Sequence, residues 1–216
     1  MPAVVFDFDG LMIDSESEVV ACVDEVLAGM GLTLALDDVA HLFGSTDTDA
    51  EWDRVLSRHG LSLAALSPSV DALLWPRVRT LPLLPGVVDV LDAAASSGWR
   101  TAIATGSDRE RLDAHLARLG LAGRFDAIVT RREVARGKPA PDIYLEVAAR
   151  LGQASEQCLV LEDSLPGCEA ALAAGMHVVV CPSPVTAGCA FPAAARRVAS
   201  LVEVVASLHA WPLATE

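Results

Sequence analysis

Two aspartates one residue apart close an apolar run at the head of the chain, Val4-Val5-Phe6-Asp7-Phe8-Asp9-Gly10. Read as a strand over residues 3–8, this run places Asp7 and Asp9 on the same side, one pleat apart. Carboxylates so placed repel and lose hydration. A divalent cation, a shared proton or a reacting group between them would offset that cost. Further groups of this kind lie downstream. Thr105-Gly106-Ser107 offers a hydroxyl and the amides of a starting helix to an anionic oxygen. Gly137-Lys138-Pro139 carries an ammonium, and Glu162-Asp163 is a second carboxylate pair. Four carboxylates, a lysine and a hydroxyl suit a hard, oxygen-liganded cation such as Mg²⁺ together with a phosphoryl group. In that chemistry one carboxylate attacks phosphorus. A second protonates the leaving oxygen and then deprotonates water. Lys138 and donors at Thr105 and Gly106 would stabilise charge on the equatorial oxygens.

Positioning such groups requires strands that end together. Five β-rich runs recur, at residues 3–8, 100–105, 126–130, 158–162 and 177–181. From residue 85 they alternate with helical patterns. Pro85-Gly86 opens a helix ending at Gly98, and Ser107-Asp-Arg-Glu110 reads as a capping box before Leu112, Leu116 and Leu119. Pro141 suits the first position of a helix ending at Gly152, and another helix runs up to Gly175. The alternation predicts an α/β fold: a Rossmann-like parallel sheet of at least five strands with helices on both faces. Ligands then bind beyond the carboxyl ends of the strands. Residues 15–82 interrupt the pattern and show no strand. A capping box at Ser15-Glu-Ser-Glu18 starts a helix to about Gly29, with further helices over 37–42, 48–59 and 69–79. We expect a core of residues 1–14 and 83–216 and an inserted helical cap of 15–82 acting as a lid. Hinges would lie near Asp14-Ser15 and Leu81-Pro82.

The 216 residues suffice for a sizeable core, mainly of Ala, Val and Leu, since 52% are hydrophobic and only 5% aromatic. A net charge of −13 argues against nucleic acid as a partner. It also requires a local cation to draw in an anionic substrate. No apolar stretch reaches the ~18–20 residues of a membrane span. No basic segment precedes the first strand, as a secretory leader would need. Five cysteines without a Cys-x-x-Cys pair read as reduced thiols, and a cytoplasmic location is expected. Fifteen of the basic residues are arginine and one, Lys138, is lysine. The five histidines lack metal spacing. Phe43, Trp52 and Trp75 read as cap core, and Arg77 and Arg79 as surface residues within reach of a substrate on cap closure.

The chain resembles the haloacid dehalogenase superfamily, in its phosphatase and β-phosphoglucomutase-like branch with an α-helical cap. The resemblance rests on Phe6-Asp-Phe-Asp-Gly-Leu-Met-Ile-Asp-Ser-Glu16, Thr105-Gly-Ser107, Arg136-Gly-Lys-Pro-Ala-Pro-Asp142 and Leu161-Glu-Asp-Ser-Leu-Pro-Gly167, followed by Ala170-Ala-Leu-Ala-Ala-Gly-Met176. It implies that Asp7 is the nucleophile and a Mg²⁺ ligand, and that Asp9 is the general acid/base, lending its carbonyl to the metal. It further implies that Thr105 and Gly106 bind phosphate, that Lys138 steadies Asp7 and the phosphate, and that Glu162 and Asp163 complete the metal site; Ser107 beside them reads as a helix cap or a further substrate contact. A Mg²⁺-dependent phosphatase of a small phosphorylated metabolite, working through an aspartyl-phosphate, is the resulting expectation. A phosphomutase and a non-catalytic phospho-acceptor module remain the alternatives. The mutase pattern places a histidine where Val19 stands and an arginine just beyond the cap-loop glycine, where this chain has Gly44-Ser45-Thr46-Asp47. Substrate identity and oligomeric state stay open, with a monomer the simplest case.

Overall fold

Short strands of alternating apolar side chains, buried on both faces, set the architecture. The computed structural model describes residues 1–45 and 48–209. Six strands, β1 (Ala3–Phe6), β2 (Arg100–Thr105), β3 (Ala127–Thr130), β4 (Cys158–Glu162), β5 (His177–Val180) and β6 (Arg196–Arg197), form one sheet in the order β3-β2-β1-β4-β5-β6. Every pairing is parallel. The sheet is the Rossmann-like one expected, with β6 as an added edge strand. Alternation along each strand sorts side chains into two cores. Val4, Phe6, Ile103, Leu159, Leu161 and Val179 face one. Ala3, Val5, Ala102, Ala104, Val160 and Val178 face the other.

The first core is covered by α4 (Val87–Ser96), α5 (Arg109–Arg118) and α8 (Val202–His209). The second is covered by α6 (Asp142–Leu151) and α7 (Leu165–Ala173). Between β1 and α4 run α1 (Ser15–Gly29), α2 (Asp49–Ser57) and α3 (Leu63–Val78), with 3₁₀ turns at Leu36–Asp38 and Ala40–Leu42. No strand lies in this stretch among the described residues. Leu66, Val70, Leu74 and Val78 recur every fourth residue on α3 and pack with Cys22, Val23 and Leu27 of α1 in the first core. Phe43 and Trp52 meet edge to face at 6.0 Å in a small satellite core.

Several local expectations are corrected. β1 ends at Phe6, so Asp9 lies beyond the strand in a bridge to Ile13, and the pleat argument does not relate it to Asp7. The segment expected as a helix over 37–42 is two 3₁₀ turns. Helix α3 begins at Leu63 rather than at residue 69, because Ser62 caps it by accepting from the Ala65 N–H at 3.3 Å. Pro68 and Pro76 sit on its exposed side, where a carbonyl without its helical partner can be hydrated. Neither expected capping box forms. Asp14 caps α1 by accepting from Ser17 N–H, and Asp108 stands at the α5 cap position without a side-chain capping bond, its carboxylate paired instead with Arg132 at 2.7 Å. The hydroxyls of Ser15 and Ser107 are committed elsewhere. The Thr46-Asp47 part of the cap-loop motif lies outside the described residues.

Candidate active site

The strand order reverses at β1, and the crevice at the carboxyl ends of β1 and β4 is where such a sheet binds ligands. Register makes the meeting of acids unavoidable. Phe6 pairs with Leu161, and the Asp7 N–H donates to the Leu161 carbonyl at 3.0 Å, so Asp7 emerges beside Glu162 and Asp163. All three are buried, and one carboxylate oxygen of each lies within 4.8 Å of the others.

Lys138, on the loop after β3, reaches into this group with only 3% of its surface exposed. Its ammonium donates to Asp7 Oδ1 at 2.5 Å, to Glu162 Oε1 at 2.6 Å and to the Ala104 carbonyl at 3.2 Å, which uses all three protons. Glu162 Oε1 also accepts from the Tyr144 hydroxyl. Its other oxygen takes the Ser164 hydroxyl at 2.9 Å and the N–H groups of Asp163 and Ser164. Glu162 is therefore fully engaged by the protein. Asp163 is the opposite case: both its carboxylate oxygens are buried and meet no amide, hydroxyl or ammonium donor, only the neighbouring Glu16 carboxyl. The carboxylate of Glu16 adjoins Asp163, and the two crowd Gly10 so closely that a Cβ there would collide with both. Ser183 Oγ donates to Glu16 at 3.1 Å.

Electrostatics follow this geometry. Burial raises the Asp7 pKa, Lys138 opposes that, and Glu162 and Asp163 push it further up. Burial and the neighbouring Glu16 and Glu162 raise Asp163 likewise. Burial is also the main reason that Glu16 rises to about 8. For Lys138, burial alone would lower the pKa, but attraction to Asp7 and Glu162 outweighs it, and the ammonium is held protonated well above its ordinary range. In each carboxylate the pressure is towards a proton or a cation.

Asp9 faces a different way. Its Oδ1 accepts the Ser15 hydroxyl at 2.7 Å and its Oδ2 the Ser107 hydroxyl. Its carboxylate is thus outside the Asp7–Glu162–Asp163 cluster but borders the same cavity of about 370 Å³. Thr105, Gly106, Ser107 and Lys138 line that cavity too. The Thr105 oxygen accepts from the Ser107 N–H at 3.0 Å, leaving its own proton to donate. The residues singled out in the sequence are all brought together here.

Other residues were missed. Glu16, which the sequence offers only as the end of the first motif, borders the cavity. Arg111 and Arg131 supply positive charge at its rim, and no sequence signal separates them from the other helix-surface arginines. The Arg111 guanidinium lies over the Trp75 ring, 3.7 Å from its centroid. Trp75 therefore meets the core rather than serving only as cap core. Arg77 pairs with Glu25 and Glu18 of α1 and is committed to that contact. Val19, where mutases carry histidine, lines a neighbouring cavity.

Residues 1–175 match the haloacid dehalogenase-like hydrolases. The chain belongs to that family. It is 32% identical over 217 residues to the protein CbbY of Rhodobacter capsulatus, covering 93% of this chain and 94% of that one. It is 35% identical over 189 residues to the fructose-1-phosphate phosphatase YqaB of Escherichia coli, covering 82% and 94%. Among solved structures, CbbY of Rhodobacter sphaeroides in complex with xylulose-(1,5)bisphosphate superposes with a TM-score of 0.75 at 27% identity, covering 94% of this chain and 96% of that one. The chain is a hydrolase of this family, and its relatives include sugar-phosphate phosphatases. No helix among the described residues is long and apolar enough to cross a membrane.

Proposed function

We propose that this hydrolase is a Mg²⁺-dependent phosphatase that removes phosphate from a small phosphorylated metabolite, a sugar phosphate or a similar monoester. The observation that carries the reading is the buried Asp163, whose oxygens meet no amide, hydroxyl or ammonium donor, set beside Asp7, Lys138 and a polar cavity. An all-oxygen donor set with an unsatisfied buried carboxylate fits a hard divalent cation. Asp7 and Asp163 would hold it with the Asp9 carbonyl. Glu162, its oxygens already occupied, would contribute by positioning Lys138 and Asp163 and at most as an outlying acid. When bound, the cation neutralises carboxylate and phosphate charge so that an anionic nucleophile can approach.

In this mechanism an Asp7 oxygen attacks phosphorus and the bond to the leaving oxygen breaks, giving an aspartyl-phosphate. Asp9, aimed by Ser15 and Ser107, acts as the general acid that gives a proton to the leaving oxygen. It then removes one from the water that hydrolyses the intermediate. Lys138 and the Thr105 hydroxyl stabilise the equatorial oxygens, with Gly106 and Ser107 completing the phosphate cradle. Residues 15–82 act as the cap over the strand ends. That reading is supported by Ser45, whose hydroxyl donates to the Lys138 carbonyl at 3.2 Å, and by Ser15 on Asp9. The apolar Val19 supports hydrolysis over phosphomutase chemistry. The test is phosphate release from a panel of sugar phosphates with and without Mg²⁺. Release should require the metal and vanish in Asp7→Asn, whereas activity surviving that substitution rules the mechanism out.

A further inference from the structure

We propose that Arg111, stacked on Trp75, forms a recognition site for a second anionic group on the substrate's leaving group. The inference rests on the phosphatase reading above and says which phosphate monoesters that site prefers. A second cavity, about 220 Å³, shares Asp9, Glu16, Ser107 and Arg111 with the first but does not include Asp7 or Lys138. Asp9 is the proton donor to the leaving oxygen, so this continuation on the far side of Asp9 is where the rest of the substrate extends. Its other walls include Phe8, Leu74 and Val78, which offer no charge. Arg111 is the one formal cation on them besides the half-buried ring of His115, whose pKa burial and Arg118 lower.

The state of Arg111 is what marks it. Nearby arginines on α5 are engaged: Arg109 with Asp113, and Arg118 with the Leu81 carbonyl. Arg111 has no carboxylate or carbonyl partner among the described residues, and its contact is the face of an indole. A guanidinium lying on a ring uses its face there, while its five N–H donors lie in its plane and stay available for a bidentate anion. The indole restrains the side chain, so less rotamer freedom is lost on binding. In a chain of net charge −13, a second substrate anion beside Asp9 and Glu16 is repelled unless a cation meets it. The ligand class is a phosphate monoester bearing a second phosphate or a carboxylate. Arg111 comes from α5 and Trp75 from α3, so the site is complete only when the residue 15–82 segment lies against the core.

Steady-state kinetics on wild type, R111A and R111K tests this, with fructose 1,6-bisphosphate, 2-phosphoglycolate and p-nitrophenyl phosphate as substrates. Wild type should favour one of the two substrates that carry a second anionic group over p-nitrophenyl phosphate, and which of the two separates a phosphate from a carboxylate specificity. In R111A that ratio of kcat/KM should fall roughly 10- to 100-fold, mainly through KM, as for loss of a charge-assisted bond. R111K should recover part of it. A wild type indifferent to the second anion, or an R111A that lowers all substrates alike, overturns the proposal and leaves the phosphatase reading standing. No Asp7-dependent phosphate release from any substrate overturns both.

Discussion

Replacing Lys138 by methionine should destabilise the metal-free protein by about 3–5 kcal/mol, the usual cost of removing one partner from a buried ion pair. The ammonium sits 2.5 Å from Asp7 and 2.6 Å from Glu162, with all three side chains at most 6% exposed. At an effective dielectric of about 20, Coulomb's law assigns each pair about 6 kcal/mol of attraction. Desolvating three ions costs several kcal/mol apiece, so the intact triad contributes little net stability. Methionine fills similar volume and removes the attraction while two carboxylates stay buried. Urea unfolding in the presence of a chelator measures the loss. The double substitution K138M with E162Q gives the decisive comparison, since it removes one of the stranded charges and should recover at least ~1.5 kcal/mol. Strict additivity of the two substitutions, or a K138M penalty below ~1 kcal/mol, would refute the picture of a mutually dependent triad.

Three further outcomes follow from the geometry. A Cβ at Gly167 would run into the Glu162 carboxylate, which Tyr144, Ser164 and Lys138 hold in place, so Gly167→Ala should cost about 1–3 kcal/mol in urea unfolding and an unchanged midpoint would contradict the packing. Mg²⁺ at 100 times its Kd should stabilise the wild type by about 2.7 kcal/mol and Asp163→Asn far less at that concentration, read by thermal shift without any substrate. Burial pushes the Asp126 carboxyl up, but the Thr101 N–H at 2.9 Å and its pairing with Arg100 outweigh this and hold it below the ordinary carboxylate range. Its stabilisation is then present above the unfolded pKa of ~3.9 and lost as pH falls through the folded value. Asp126→Asn should therefore cost about 1 kcal/mol at pH 7 and progressively less below pH 4.

The five main strands were legible because parallel strands buried on both faces must be short and almost wholly apolar. Their ends also named the acids, since a charged residue terminating such a run has to serve something. What misled was local capping grammar. Ser15-Glu-Ser-Glu18 and Ser107-Asp-Arg-Glu110 satisfy the capping pattern, yet both hydroxyls go to Asp9, which lies outside either helix and whose demand the capping spacing does not reveal. The early start of α3 was not read either, although the helix tolerates Pro68 and Pro76 where the freed carbonyls face solvent. Asp9 was recognised for a wrong reason: alternation did not put it near Asp7, but a turn beyond the strand did. Glu16 and Arg111 were unreadable, as their roles depend on which residues the fold sets opposite them.

The position of Lys138 also bears on side reactions. An aspartyl-phosphate is an activated acyl group, and a neutral amine 2.5 Å from its carboxyl would form an amide and expel phosphate, permanently joining the two side chains. In such an intermediate Asp7 no longer carries its carboxylate charge, and it is Glu162, 2.6 Å from the nitrogen, that would hold it as an ammonium without the lone pair that the attack needs. On the proposed mechanism Glu162, by making this lysine hard to deprotonate, would protect the enzyme from acylating itself.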